Sequence, residues 1–325
     1  MISEPVIDVH LQPGDLRESL EADVLKGLAS TPKELPPKWF YDDRGSELFD
    51  AITRLPEYYP TEAERSILRE RAREIIGAAG TDTLVELGSG TGDKTRVLLD
   101  AMADEGRLHR YVPFDVSEGT LRYSAAALAR RHPGMAVHGV VGDFERHLDL
   151  IPRTGRRMVA FLGGTIGNFE PATRTEFLEK LVATLEPGDT FLLGTDLVKD
   201  ANRLVAAYDD AQGVTAEFNR NVLRVLNREL HADFEPAAFD HLAVWDDVHE
   251  WIEMRLRSRS PQSVTIADLD LEVTFAEGEE LRTEISAKFR RSGLEAELHA
   301  SGLELCGWWT DPAGDYALSL SRPRP

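Results

Sequence analysis

Cysteine is almost missing from this chain. Cys306 stands alone among 325 residues, which excludes an internal disulfide and suits a reducing compartment. The nine histidines form no H-x-x-x-H or comparable grouping, so a metal site is not expected. Basic charge is in deficit, with 37 Lys and Arg against 57 Asp and Glu and a net charge of −20. That balance opposes phosphate backbones, so no nucleic acid is expected as substrate. A negative field mildly favours cationic small molecules, although acidic charge usually serves solubility alone. No apolar run approaches membrane-spanning length, so no membrane partner is expected. Residues 1–15 lack the basic stretch and apolar core of an export signal, and a cytoplasmic location is expected. Repeats and low-complexity tracts are also lacking. The length suits one large domain or two, with a substantial core.

What the chain does have is concentrated in Leu84-Val85-Glu86-Leu87-Gly88-Ser89-Gly90-Thr91-Gly92-Asp93-Lys94-Thr95. An apolar strand breaks into glycines and resumes as an amphipathic run with Val97, Leu98, Leu99 and Met102. Strand, glycine turn and helix bring bare backbone up to a nucleotide, and the helix N-terminus adds free N–H groups. A phosphate loop needs glycine directly before Lys94-Thr95, and Asp93 stands there instead. A dinucleotide turn, G-x-G-x-x-G, would need its third glycine at the same position. What remains, Glu86 followed by Gly88, Gly90 and Gly92, resembles the first motif of the S-adenosylmethionine (SAM) methyltransferases. SAM carries an amino group, a carboxylate and a sulfonium but no phosphate, so an acid beside the glycines is useful. A glycine loop that only joins strand to helix is the plain alternative.

The rest of the chain extends this pattern. A helix is expected over 16–28, with Leu20, Val24 and Leu28 at four-residue steps. Proline and aromatic residues at 36–42 and 55–60 predict a tightly held irregular segment. Thr61 and Glu64 read as a capping box before a helix carrying Ile67, Leu68, Ala72, Ile75 and Ile76 on one face. Strands are expected at 83–87, 111–114, 135–141, 158–162 and 190–194, with helices between them. Asp115 follows the second strand at the interval of a ribose-binding carboxylate, or else caps a helix, a task for which Ser117 is equally suited. Asp143 and Phe144 follow the third strand and could meet an adenine amino group and ring. Gly163 to Asn168 follows the fourth, without the Asn/Asp-Pro-Pro-aromatic element of methyltransferases acting on bases. Helices at 201–211 and 215–230 and alternating runs at 252–256, 269–275 and 281–289 read as an α+β insertion. A helix at 293–300 and a hairpin over 303–320 would complete a seven-stranded sheet.

At Pro36-Pro37-Lys38-Trp39-Phe40-Tyr41-Asp42, Leu55-Pro56-Glu57-Tyr58-Tyr59-Pro60, Gly163-Gly164-Thr165-Ile166-Gly167-Asn168 and residues 194–200, the sequence resembles the actinobacterial histidine-specific, SAM-dependent Nα-methyltransferases of ergothioneine biosynthesis. The resemblance runs from about residue 16 to the end. It implies an α/β fold, the Rossmann-like class I SAM-methyltransferase sheet of seven strands with a second, inserted α+β domain. Residues 62–198 plus 289–325 would bind SAM, and 10–61 plus 199–288 the substrate. It implies transfer of three methyl groups from SAM to the α-amino group of L-histidine, giving hercynine and S-adenosylhomocysteine, by a metal-free monomer. Tyr41, Gly88, Lys94, Asp115, Asp143 and Phe144 fall at the family's SAM positions. Tyr58, Gly163, Asn168, Tyr208, Met254, Glu284 and Ser286 fall at its histidine positions. Tyr41 and Tyr58 are the expected catalytic residues, orienting the amine and tolerating a methylammonium on their ring faces. Asn168 and Tyr208 would take the substrate carboxylate, and proton loss would run to water through Tyr41. Glu284 and Ser286 would read the imidazole beside Met254, although a solvated strand edge is the plain reading of that pair. A SAM-dependent N-methyltransferase for another small amino acid or amine, and a non-catalytic SAM-binding regulator, stay open. The glycine spacing argues against an NAD-type oxidoreductase.

Overall fold

The computed structural model describes residues 4–12, 14–90, 92 and 94–324. Contacts divide the chain into two compact units. One comprises Met1–Gln12, Glu62–Leu197 and Phe289–Pro325, the other Pro13–Thr61 and Val198–Lys288. The first unit opens with β1 (Val6–Val9). The chain then enters the second unit through α1 (Asp15–Ala29), β2 (Lys33–Glu34) and α2 (Asp43–Ile52). It returns to the first with α3 (Pro60–Ala79), β3 (Thr83–Leu87), α4 (Thr95–Asp104), β4 (Arg110–Asp115), α5 (Glu118–Arg131), β5 (Ala136–Val141), β6 (Arg157–Phe161), α6 (Pro171–Thr184) and β7 (Thr190–Asp196). The second unit resumes as α7 (Ala201–Tyr208), α8 (Val214–Leu230), β8 (Phe239–Asp246), β9 (Trp251–Ser258), β10 (Gln262–Ile266), β11 (Leu271–Phe275) and β12 (Glu280–Ala287). The first closes with α9 (Arg291–Ala300), β13 (Leu303–Thr310) and β14 (Tyr316–Pro323).

In the first unit one sheet has the order β1-β5-β4-β3-β6-β7-β14-β13. Pairing is parallel except at β14, which runs antiparallel to both β7 and β13. From β3 the chain winds outward through β4 and β5, then restarts on the other side of β3 with β6 and β7. The reversal lies between β3 and β6, and ligands of such sheets gather at the strand C-termini there. All five residues of β3 are buried, as expected of a strand covered on both faces. Ile67, Leu68, Ala72, Ile75 and Ile76 of α3 are all buried with Leu98, Leu99 and Met102 of α4 in one core.

Two expectations fail in this unit. The sheet has eight strands rather than seven, because Val6–Val9 pairs in parallel with β5 and His138 Nε2 meets Asp8 Oδ2 at 2.7 Å. This strand is four residues long with Val6 and Val9 exposed, so it carries no periodic signal. The capping box also fails. Helix α3 starts at Pro60, one residue before Thr61, and the Glu64 carboxylate turns inward to other partners.

In the second unit β8, β9 and β12 pair antiparallel, and β2 joins β12 in parallel. Hairpin β10–β11 stands as a separate ladder. Leu204, Phe218, Val222 and Leu226 of α7 and α8 share a core with Ile252, Met254, Leu256 and Leu281. Strands β8 and β10 had no clear sequence signal, since seven of the eight residues of β8 are only partly buried. The run at 281–289 is not one uninterrupted alternation. Leu281 pairs Leu256, a register shift falls between Arg282 and Glu284, and Glu284 then pairs Met254 while Ser286 pairs Ile252. The extra residue, Thr283, moves Glu284 and Ser286 onto the face that carries Leu281.

Candidate active site

In the first unit the turn after β3 takes the backbone through positive φ at Gly88 (70°) and Gly90 (46°), a region costly for side chains with a Cβ. The N–H groups of Gly88 and Ser89 donate to Phe114 O at 2.8 and 3.2 Å, tying the turn to the end of β4. Asp115 stands at that end. Its Oδ2 accepts from Gly90 N–H at 2.8 Å and its Oδ1 from Ser117 N–H at 2.9 Å. Burial raises the Asp115 pKa, and the backbone donors oppose the rise. The cap of α5 is Ser117, whose hydroxyl accepts from Thr120 N–H. Thr91 and Asp93 lie outside the described residues, so the case against a phosphate loop rests on sequence.

The Glu86 side chain turns to the far end of the glycine turn, where Thr95 opens α4. It is buried on β3, where Oε2 accepts from the Tyr111 hydroxyl at 2.7 Å and from Thr95 Oγ1. Burial, the largest influence, raises its pKa to about 7 despite these two donors.

Asp143 Oδ1 accepts from Glu145 N–H at 2.8 Å, and the Asp143 N–H meets His147 Nδ1 at 3.1 Å. Phe144 is half-buried, its ring 5.3 Å from Phe161 and 6.1 Å from Phe177 between centroids. Gly163 lies two residues past the end of β6, and Asn168 closes a single 3-10 turn over Thr165–Asn168. Gly163 and Lys94 are brought together by Glu64, which sequence reasoning assigned only to a helix cap. Its Oε1 accepts from Gly163 N–H at 2.8 Å, and its Oε2 pairs with Lys94 Nζ.

In the second unit Tyr41 follows a 3-10 turn over Pro37–Phe40 and precedes α2. Asp42 anchors that junction by accepting from Gly45 N–H at 2.7 Å, Asn221 Nδ2 at 2.7 Å and Arg228 Nη1 at 2.8 Å. Burial acts to raise the Asp42 pKa, but these donors outweigh it and hold the carboxyl below its usual range. The Tyr41 ring lies 5.5 Å from both Phe49 and Phe218. Phe49 meets Tyr58 at 6.1 Å, and Tyr58 meets Tyr208 at 6.2 Å, both edge to face. Half of the Tyr41 surface stays accessible (50%). Desolvation of its phenol, then the Glu284 carboxylate and Tyr208, all act to raise its pKa above the ordinary value.

Tyr208 ends α7, its hydroxyl 2.7 Å from Ser286 Oγ. Lys288 Nζ donates to both, at 2.9 Å to Tyr208 Oη and 2.8 Å to Ser286 Oγ. Lys288 is buried, and sequence reasoning missed it because it stands at a position of the 281–289 run that alternation assigns to the polar face. Met254 is buried directly opposite Glu284, so an apolar wall and a carboxylate stand side by side.

The expected residues thus fall into two sets. Gly88, Lys94, Asp115, Asp143, Phe144, Gly163 and Asn168 belong to the first unit, and Tyr41, Tyr58, Tyr208, Met254, Glu284 and Ser286 to the second. Carboxylate, lysine and aromatic groups at the strand ends suit a nucleoside with a zwitterionic tail. Among the described residues, no group of three or more His, Cys, Asp or Glu is placed to hold a metal ion. No helix among them is long and apolar enough to cross a membrane.

Strand order, the reversal beside β3 and the glycine turn define the α/β fold of class I SAM methyltransferases, with an α+β insertion. Residues 20–323 match the family described as histidine-specific methyltransferase, SAM-dependent. The chain is 61% identical over 312 residues to the histidine N-alpha-methyltransferase of Mycolicibacterium smegmatis, covering 96% of this chain and 97% of that one. It is 58% identical over 303 residues to the histidine N-alpha-methyltransferase of Mycobacterium tuberculosis, covering 93% and 94%. It is 29% identical over 320 residues to ergothioneine biosynthesis protein 1 of Neurospora crassa, covering 97% of this chain and 36% of that protein. The chain belongs to the SAM-dependent, histidine-specific methyltransferase family, and it is an enzyme.

Proposed function

We propose that this methyltransferase moves three methyl groups from SAM to the α-amino group of L-histidine. The product is hercynine, the Nα-trimethyl betaine, on the way to ergothioneine. The reading draws on the names of the relatives above and on one structural observation. Glu284 and Met254 stand opposite one another beside the Tyr208–Ser286–Lys288 cluster, a set of groups suited to a flat ring bearing an N–H.

Bound SAM supplies an electrophilic methyl carbon, whose bond to sulfur breaks as the bond to nitrogen forms, leaving S-adenosylhomocysteine. The first unit carries the groups suited to SAM. Asp115 can accept two ribose hydroxyls on lone pairs not used by its backbone donors. Asp143 and Phe144 offer an acceptor and a ring for adenine, and Lys94 a cation for the SAM carboxylate. In the second unit, Glu284 accepts a ring N–H, Ser286 serves the other ring nitrogen and Met254 forms a polarisable wall. Tyr208 of the same unit offers a hydroxyl to the substrate carboxylate, and in the first unit Asn168 and Gly163 carry polar groups suited to an amino acid. Tyr41 and Tyr58 orient the amine, which must be neutral at attack. The raised pKa of Tyr41 keeps its phenol protonated at neutral pH. It therefore orients the amine and hands protons on to water rather than standing by as a phenolate base. The third transfer makes a permanent cation, which tyrosine ring faces tolerate.

The same reading makes the chain a metal-free cytoplasmic monomer without nucleic-acid or membrane partners, in keeping with its acidic charge and single cysteine. The test is competition. Supplied with SAM and an equimolar mixture of all twenty amino acids, the enzyme should methylate histidine alone, as read by mass spectrometry. Methylation of a different amino acid, with histidine unchanged, would overturn the assignment.

A further inference from the structure

Glu64 has no role in the reaction described above, yet its side chain is 0% exposed. A carboxylate taken fully out of water persists only where it is paired and hydrogen-bonded. Glu64 meets that condition with three donors from separate elements: Lys94 Nζ beyond the glycine turn, Gly163 N–H after β6 at 2.8 Å, and the Tyr316 hydroxyl at the start of β14 at 3.0 Å. Space for the cluster depends on Gly194 in β7. A Cβ there would lie 2.3 Å from Glu64 Oε1 and 2.7 Å from the Tyr316 oxygen. The Lys94 side chain keeps 24% of its surface while Glu64 keeps none, so the ammonium has an inner side on the carboxylate and an outer side toward solvent. With its N–H engaged by Glu64, Gly163 can offer a ligand only its carbonyl oxygen.

We propose that Glu64 is a positioning residue for the amino-acid end of SAM. It holds the Lys94 ammonium, otherwise at the tip of a flexible four-carbon stem, where that ammonium meets the SAM carboxylate. Because Glu64 and Lys94 form a neutral pair, the site receives a zwitterionic tail rather than a phosphate. This inference rests on the reading that Lys94 is a SAM residue.

The test is calorimetric titration of the full chain with S-adenosylhomocysteine and with 5′-methylthioadenosine, which has the same nucleoside and no amino-acid tail. Glu64→Gln places an amide against Lys94 and removes its counter-charge. It should weaken S-adenosylhomocysteine about tenfold or more and 5′-methylthioadenosine less than about twofold, as loss of a charged hydrogen-bond partner at the tail alone requires. Gly194→Ala crowds the same carboxylate without touching its charge and should reproduce the selective loss, which keeps the inference testable if Glu64→Gln folds poorly. Equal weakening of both ligands, or unchanged or tighter S-adenosylhomocysteine binding, would overturn the positioning role. Lys94→Met separates the two readings. If it shows the selective loss and the Glu64 and Gly194 variants do not, the Glu64 inference falls alone. If Lys94→Met shows no selective loss, the SAM assignment of Lys94 falls as well.

Discussion

Met254 and Glu284 face each other across the β9–β12 ladder, one residue past a bulge in β12 that sets Glu284 on the face carrying Leu281. If that face reads an imidazole, Glu284 supplies its only charge-dependent contact to a ring N–H. Glu284→Ala should then cost about 1.5–3 kcal/mol, a drop of roughly ten- to a hundredfold in kcat/KM for histidine. S-adenosylhomocysteine affinity should not change. Steady-state kinetics with histidine and phenylalanine check this, because a site built around a ring N–H discriminates against a ring without one. An unchanged histidine-to-phenylalanine ratio would place the ring elsewhere.

Asp115 joins the glycine turn to the start of α5 through Gly90 N–H and Ser117 N–H. Asp115→Ala should weaken SAM binding about tenfold or more, through loss of the ribose contacts at about 1.5–3 kcal/mol each. Asp115→Asn, which keeps one acceptor oxygen, should fall between the two. Calorimetry reads both, and unchanged affinity would remove Asp115 from the cofactor site.

Tyr41 stays a neutral phenol at working pH, so on the proposed reading its contribution would be orientation of the amine. The amine offers fewer N–H groups after each methyl is added, so loss of the Tyr41 hydroxyl should disturb the steps unequally. Tyr41→Phe should accumulate mono- or dimethylhistidine, visible in a time course by mass spectrometry. Wild-type rates with trimethylated product alone would exclude Tyr41 from the chemistry.

Glu86 gives a stability signature separate from catalysis. Its pKa in the folded protein is about 7 against an ordinary 4.5, so the folded state holds an extra proton between those values. The sign follows from linkage. The contribution is present in full below about 4.5 and is lost as pH rises through about 7, up to about 3 kcal/mol for a shift of this size. Urea unfolding should show wild-type stability falling between about pH 4.5 and 7 relative to Glu86→Gln, which keeps an acceptor for Tyr111 and Thr95. Parallel curves for the two proteins would contradict this.

Elements that bury one continuous apolar stripe were legible in the sequence. The strand Thr83–Leu87 was read with its observed bounds, and the buried stripe of α3 was read residue by residue. Strand Val6–Val9 was not legible, since its stability comes from the neighbouring β5 rather than from its own pattern. The bulge at Thr283 was hidden for a related reason: strict alternation and alternation with one inserted residue look alike until a partner strand fixes the register. Around the candidate site, residues with an obvious chemical use after a strand, such as Asp115 and Asp143, could be named beforehand. Glu64, Lys288 and Asp42 could not. Each acts through another side chain or backbone group, and Glu64 carried a sufficient local explanation as a helix cap that the structure replaces.

The central claim is that the chain carries histidine through to the quaternary amine. The most direct measurement combines purified enzyme, SAM and L-histidine labelled with 15N at the α-amino group, followed by mass spectrometry and NMR to completion. The account predicts three S-adenosylhomocysteine released per histidine consumed and three equivalent methyl groups on the labelled α-nitrogen. Methyl groups on a ring nitrogen, or an end product carrying one methyl with SAM still in excess, would contradict it.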